Sequence, residues 1–277
     1  DGHRFLVYEL LVGGDVAKRL ENVRSSGGQP FDWTERLSVA LDAACGLSHM
    51  HNSTPKAFHR DIKSANILLD RSGTAKMADF GLSGIAKNKG KLNMTCEQIS
   101  GTPGYACPHY IKSGRVTEQT EVYAFGMVLL ELLMNSMPAC LGQGGRIVYP
   151  IFQVVMPQAP GALDRVLKAL DAKAGWPPSL AKELAELALN CSTMEESRRP
   201  VFTDVGRRLR QFCDTYCKGQ RSDPGSHPRL DPPSDPQMSS QMAHGHFGAG
   251  DQPQPTQPQL GHSRMSGGGF GAPTQPQ

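Results

Sequence analysis

The sequence predicts a mainly α-helical domain with short β hairpins, followed by a disordered C-terminal tail. Three observations carry this reading. Trp33, Leu37, Ala40, Leu41, Ala44, Leu47 and His51 recur at helical spacing, the signature of one buried stripe. Residues 122–134 are apolar nearly all round, as in a helix buried on every side. Residues 221–277 contain no Ile, Val, Trp, Tyr or Cys and are rich in Pro, Gln, Gly and Ser. Such a tail buries too little apolar surface to offset its chain entropy. The domain is therefore placed at 1–216 and the tail at 217–277, as a passive extension in preference to a partner-binding arm.

Composition narrows the partners. A formal charge of +3 in 277 residues calls for neither nucleic acid nor an acidic membrane surface. Cys45, Cys96, Cys107, Cys140, Cys191, Cys213 and Cys217 are odd in number and form no CxxC pair. They read as free thiols of a reducing, cytoplasmic compartment. Cys213 and Cys217 lie four apart on a predicted helix, where a structural role is preferred over a metal. No apolar run reaches the ~18 residues of a spanning helix. The chain opens in mid-strand without Met or a signal peptide, which reads as a fragment.

In chain order, Arg4 to Glu9 has strand character and Gly13-Gly14 breaks it. Asp15 stands at a helix N-cap before Val16, Leu20 and Val23, either as a plain cap or as a cap that also meets a ribose hydroxyl. Residues 21–30 form a loop. Asp32-Trp33-Thr34-Glu35 reads as a capped start of a helix over about 33–51. His49 and His51 near its end are expected to be surface or dipole partners. Asn66 to Asp70 and Ala75 to Ala78 are short strands joined by turn residues Arg71-Ser72-Gly73. Residues 82–109, which include Lys87, Lys89 and Lys91, show little periodicity and are expected to move until pinned. The central helix covers 122–134, and its Glu131 must find a partner or reach solvent. Residues 138–160 are loop-rich. Shorter helices are expected at Leu163–Leu170, from an N-cap at Ser179, and after Pro200 with Val205, Leu209 and Phe212 on its face.

The chemistry concentrates between His59 and Gly81. Phosphoryl transfer needs metal ions on phosphates, an aligned hydroxyl and nearby positive charge. Asp61, Asn66 five residues on and Asp79 thirteen further supply hard oxygen donors, provided that a tight hairpin brings both loops together.

These residues carry a resemblance. HRDIKSAN (59–66), DFG (79–81), GTPGY (101–105), EVYAFG (121–126) and Arg199-Pro200 resemble the protein kinase catalytic domain from its hinge onward. LVYE (6–9), DWTERLSVALDAACGLSHMH (32–51) and HRDIKSANILLD (59–70) are similar to the Pelle and plant receptor-like serine/threonine kinases of the tyrosine-kinase-like group. The resemblance implies a kinase large lobe without its N-terminal lobe. It implies ATP-dependent phosphorylation of protein hydroxyls with ATP and Mg2+. Asp61 would accept or orient the hydroxyl proton, Lys63 would neutralise the phosphoryl group, and Thr102 would bond near both. Asn66 and Asp79 would hold magnesium. Glu9 and Leu11 would present hinge backbone to adenine, with Tyr8 behind it, Leu68 beneath it and Asp15 at the ribose. His59 and Phe80 would stack. Arg60 would receive a phosphate placed on Thr95 or Ser100.

Three departures qualify the resemblance. No glycine-rich loop followed by a lysine strand occurs in the chain. A missing small lobe is expected to be supplied by a parent protein, and a membrane-tethered parent is compatible with the resemblance to receptor-like kinases. Cys107-Pro108-His109 replaces Ala-Pro-Glu, so Arg199 lacks its anion unless Glu195 or Glu196 substitutes. Glu121 replaces aspartate and is expected to brace the His59–Asp61 loop more weakly. The primary expectation is an active serine/threonine kinase with a protein substrate; the alternative is a pseudokinase or scaffold module.

Overall fold

The computed structural model describes residues 5–25, 30–86, 93–96, 98–156, 158 and 160–217. Arg4, Lys87, Lys89, Lys91 and residues 218–277 of the predicted tail lie outside the described residues, while Cys217 is buried at the end of the last helix. Asp15 caps α1 (Val16–Arg24) by accepting the Lys18 amide at 2.8 Å. Asp32 caps α2 (Trp33–Asn52) by accepting the Thr34 and Glu35 amides at 2.9 and 3.0 Å. Both caps satisfy amides that the first helical turn leaves orphaned. There follow β1 (Ala57–Phe58), β2 (Ile67–Leu69), β3 (Ala75–Met77), β4 (Gly84–Ile85), β5 (Asn93–Thr95), α3 (Pro108–Ser113), β6 (Arg115–Thr117) and α4 (Glu118–Met134). The described chain is completed by β7 (Cys140–Leu141), β8 (Ile147–Val148), α5 (Pro150–Val155), α6 (Ala162–Lys168), α7 (Pro178–Cys191) and α8 (Phe202–Tyr216). The strands form four antiparallel two-stranded ladders: β1 with β4, β2 with β3, β5 with β6 and β7 with β8.

The core forms around α4, where every residue from Val122 to Met134 is buried. Fully burying a side chain such as Phe125, Leu129 or Leu132 contributes about 1.5–3 kcal/mol. α7 crosses α4 at Gly126 because nothing larger fits: a Cβ there would lie 2.8 Å from Cys191 Cβ. α8 packs on α2 through Phe202, Val205, Leu209 and Phe212.

Several elements depart from the expectations. Residues 5–9 form no strand, and Phe5, Leu6 and Val7 are 83, 83 and 92% exposed. A strand needs a ladder partner, and none of the described strands pairs with this run. α7 starts at Pro178, not at a Ser179 cap, since proline is preorganised for the first helical position. Residues 82–109 contain β4 and β5, and residues 138–160 contain a hairpin and α5. These pieces are two to six residues long, too short to leave a periodic signal.

Candidate active site

A turn at the tip of the β2–β3 hairpin sets the site. Asp70 Oδ1 accepts the Ser72 and Thr74 amides at 2.8 and 2.9 Å, and Gly73 adopts φ +85°. That closes the ladder in the register Ile67 opposite Met77. The Ala78 amide then donates to the Asn66 carbonyl at 2.9 Å, which sets Asp79 beside Asn66. Arg60 and Asp79 both take left-handed backbone, φ 72° and 62°. Such strain costs about 1–3 kcal/mol per residue and persists only where the surroundings impose it.

The residues singled out as catalytic meet at one point. Lys63 Nζ donates to Asp61 Oδ2 at 2.6 Å and to Thr102 Oγ1 at 3.0 Å. Thr102 Oγ1 donates to Asp61 Oδ1 at 2.7 Å, and Asn66 Nδ2 donates to the Asp61 carbonyl at 2.8 Å and to Oδ2 at 3.2 Å. Burial of Asp61 would raise its pKa, but hydrogen bonds from Lys63, Thr102 and Asn66, with the Lys63 charge, hold it below the ordinary carboxylate value. Asp61 is thus an ionised acceptor at neutral pH. The Asn66 amide nitrogen is committed, which leaves its oxygen as a donor for a hard cation. One Asp79 oxygen takes the Gly81 amide at 3.3 Å. An amide oxygen beside a carboxylate fits magnesium, which takes one or two protein ligands and fills the rest with phosphate oxygens and water. No group of three or more His, Cys, Asp or Glu residues suited to a metal occurs among the described residues.

The loop is braced from α4. Glu121 is 4% exposed and accepts the His59 amide at 3.1 Å, the Arg60 amide and His51 Nε2 at 2.8 Å. The expected weaker brace is therefore not what the geometry displays, because the longer side chain reaches both loop amides. His51, expected near the surface, is buried between Phe58 and Phe202. We predict that Glu121→Asp, which restores the family residue, lowers stability by about 1–3 kcal/mol, since hydrogen bonds to a charge contribute about 1.5–3 kcal/mol each. Urea unfolding reads this, and an equal or higher midpoint for the aspartate form contradicts it. The His59 and Phe80 rings pack with centroids 5.3 Å apart, and His59 Nε2 lies 3.0 Å from the Ala78 carbonyl.

One supporting contact, between the tyrosine of GTPGY and Glu131, was not assigned from the motifs. Tyr105 donates to Glu131 Oε2 at 2.6 Å and lies 3.0 Å from Ser64 Oγ. This joins the GTPGY segment to α4 and to the loop that carries Asp61. The only sequence signal was a carboxylate inside an apolar helix. Burial pushes the Glu131 pKa up to about 7, against smaller opposing effects from Tyr105, Ser64 and Arg24. Its folded value lies above its unfolded one, so the folded state binds the extra proton between about pH 4.5 and 7. Stability from this group is present at the acid end and is lost as pH rises through that window, by roughly 3 kcal/mol. Glu131→Gln should flatten the stability profile there; an unchanged slope in calorimetric titration rejects the assignment.

Arg199 is 4% exposed and has no carboxylate partner among the described residues. It donates to the Thr193 and Gln119 carbonyls at 2.8 and 3.0 Å and to Cys107 Sγ at 3.1 Å, with His109 Nδ1 at 3.4 Å. Its guanidinium also lies 5.0 Å from the Tyr123 ring centroid. Neither expected substitute serves, since Glu195 pairs with Arg198 and Glu196 accepts from Thr117.

The residues expected on the nucleotide side are less gathered. Gly13 and Gly14 are laced to β2, with the Gly13 amide donating to the Leu69 carbonyl and the Leu69 amide to the Gly14 carbonyl, both at 2.8 Å. Asp15 forms a bridge with Leu68, so these two lie together while Asp15 also caps α1. Tyr8 is 68% exposed, Glu9 pairs with Lys76 at 2.5 Å and Leu11 is half-buried. Arg60 donates through Nη1 to the Leu82 carbonyl at 2.8 Å, and its buried Nε has no hydrogen-bond partner among the described residues. The Ser100 amide donates to Tyr110 at 3.0 Å, and Thr95 lies exposed on β5.

Residues 1–208 match the protein kinase domain family, and the chain belongs to that family. It is 34% identical over 232 residues to receptor-like cytoplasmic kinase 176 of Oryza sativa subsp. japonica, covering 83% of this chain and 56% of that protein. It is 34% identical over 226 residues to serine/threonine-protein kinase BIK1 of Arabidopsis thaliana, covering 81% and 56%. With receptor protein kinase WSS1 of Oryza sativa subsp. japonica it shares 34% identity over 241 residues, 82% of this chain and 26% of that protein. The chain thus spans between about a quarter and just over half of these relatives. No helix among the described residues is long and apolar enough to cross a membrane.

Proposed function

We propose that this chain carries the catalytic loops of a protein serine/threonine kinase, which moves the γ-phosphoryl group of ATP to a protein hydroxyl. The observation that carries the reading is the convergence of Lys63, Thr102 and Asn66 on Asp61, with Asp79 held beside Asn66 by the Ala78 amide. In this reading Asp61 orients the substrate hydroxyl and takes its proton. Lys63 offsets charge on the transferred group, and Thr102 keeps Asp61 and Lys63 aligned. Asn66 and Asp79 would hold Mg2+, which supplies charge neutralisation on the phosphates when bound. Leu68 would lie under adenine, Glu9 and Leu11 would offer hinge backbone, Tyr8 would stand behind and Asp15 would face the ribose. Groups that cover the phosphates would come from residues other than these 277, as part of a parent protein. The free cysteines and the need for ATP support a reducing, cytoplasmic setting, with a membrane-tethered parent compatible with it. Arg60, whose buried Nε has no partner among the described residues, supports control by phosphorylation of the segment that holds Thr95 and Ser100.

Magnesium-dependent ATP turnover by the protein of the full reading frame tests the proposal, with Asp79→Asn as control. Turnover in the wild type alone is expected, and equal rates defeat it. A second reading, a scaffold without turnover, is favoured by one observation, the carboxylate missing from Arg199.

A further inference from the structure

We propose that Cys107 is a redox modification site, oxidised by hydrogen peroxide to a sulfenic acid whose oxygen becomes the anionic partner that Arg199 lacks among the described residues. The inference does not rest on the kinase reading. It begins where the chain departs from the family, at Cys107-Pro108-His109 in place of Ala-Pro-Glu. The departure removes a carboxylate and, two residues earlier, adds a thiol. The structure brings both changes to one cation. Arg199 Nη1 donates to Cys107 Sγ at 3.1 Å, and Arg199 Nη2 lies 3.4 Å from His109 Nδ1. The same His109 nitrogen lies 3.9 Å from the sulfur. Cys107 is therefore one corner of a cluster of thiol, guanidinium and imidazole. The other Arg199 bonds go to the Thr193 and Gln119 carbonyls, which are neutral. A buried cation without a counter-charge favours any anion that forms beside it, and the sulfur is the atom on which one can be made.

Cysteine reactivity depends on electropositive surroundings and on access. Arg199 and His109 supply the first. Access comes from a cavity of about 30 Å³ against Cys107, lined also by Ala124, Val116, Thr102 and Asp61. A water-sized sphere takes about 10–15 Å³, so the space admits a molecule of two oxygens and little more. Cys107 itself is 2% exposed, which turns away bulky oxidants such as glutathione disulfide. Cys191 gives the contrast. It is fully buried, does not line that cavity, and burial pushes its pKa up to about 12 against the smaller opposing effect of the Arg199 charge.

In the modifying step the Cys107 sulfur attacks one oxygen of hydrogen peroxide. The S–O bond forms as the O–O bond breaks, and sulfur gives up the electron pair that the peroxide gains. The thiol proton leaves with the departing hydroxide as water. The new oxygen is bonded to a sulfur already in contact with the guanidinium. It accepts from Arg199 and, once ionised, brings it a full negative charge. Cys107 follows GTPGY (101–105) by two residues, and the cavity continues to Asp61 and Thr102. Oxidation at this point therefore bears on the candidate catalytic cluster.

The full chain is held in dilute hydrogen peroxide, quenched with catalase at intervals, and unfolded in urea with excess dimedone, so that the label reports oxidation and not accessibility. Mass spectrometry of the peptides gives a rate for each cysteine. Cys107 is expected to be oxidised at least about tenfold faster than Cys191, the factor that one unit of thiol acidity carries. His109→Glu, which gives Arg199 a carboxylate, should slow Cys107 by about tenfold or more and leave the partly exposed Cys96 and Cys140 unchanged. Equal rates at Cys107 and Cys191, or a Cys107 rate that ignores His109→Glu, overturns the proposal. Glutathione disulfide in place of peroxide should leave Cys107 unmodified, and a mixed disulfide there overturns the cavity as the route of access. Peroxide treatment should raise the thermal midpoint of the wild type relative to Cys107→Ala treated alike; no such rise removes Arg199 as the partner of the new oxygen. Loss of ATP turnover would sink the kinase reading and leave these rates unchanged.

Discussion

Asp61→Asn is expected to lower magnesium-dependent phosphoryl transfer by roughly 10²–10⁴-fold, the range that a positioned acid–base group contributes. The change keeps the side-chain volume and removes the acceptor. Asp61 takes Lys63 on one oxygen and Thr102 on the other, and an asparagine presents only one oxygen to the two donors. Lys63 would also lose its anion. The folded pKa of Asp61 lies below its unfolded value. Its contribution to stability is therefore present above the ordinary carboxylate value and is lost as pH falls through the folded one. At neutral pH that contribution is present, so the melting temperature should fall as well as the rate. Single-turnover transfer to a peptide, run beside calorimetry of the same sample, separates the two effects. A variant that retains most of the wild-type rate would remove Asp61 from the chemistry.

His109→Glu is expected to raise the thermal midpoint. Arg199 is a buried cation met by two carbonyls, a thiol, an imidazole nitrogen and an aromatic face. These partners hydrate it in effect, yet none brings a full negative charge. His109 Nδ1 already sits 3.4 Å from the guanidinium, so a glutamate there is within reach. The gain should be about 2 kcal/mol, less than the roughly 3–5 kcal/mol of a wholly stranded partner, because Arg199 is partly satisfied. For a domain of this size that is about 4–8 °C. Scanning calorimetry decides it, and an unchanged or lower midpoint would show that the thiol and carbonyls suffice.

Much of the fold was legible because its signals are local. The caps at Asp15 and Asp32, the stripe of α2 and the apolar girth of α4 depend on residues within one or two turns of each other. The β2–β3 hairpin was legible from its turn residues. The gathering of Lys63 and Asn66 on Asp61 was legible as a spacing. By contrast, Phe5 to Glu9 has the composition of a strand but finds no ladder among the described residues, and strand formation depends on a partner far along the chain. The Ser179 cap failed by two residues, since the cap position is Pro177 and Pro178 takes the first helical turn.

The sequence by itself determined that Asp61, Lys63, Asn66 and Asp79 could share one site, since their spacing brackets a hairpin that their own turn residues close. Only the tertiary structure decided how that site is held. That Glu121 reaches two loop amides, that Tyr105 finds Glu131, and that Arg199 rests on sulfur and carbonyls are contacts between distant segments. Each depends on side-chain reach, and packing sets what lies within it.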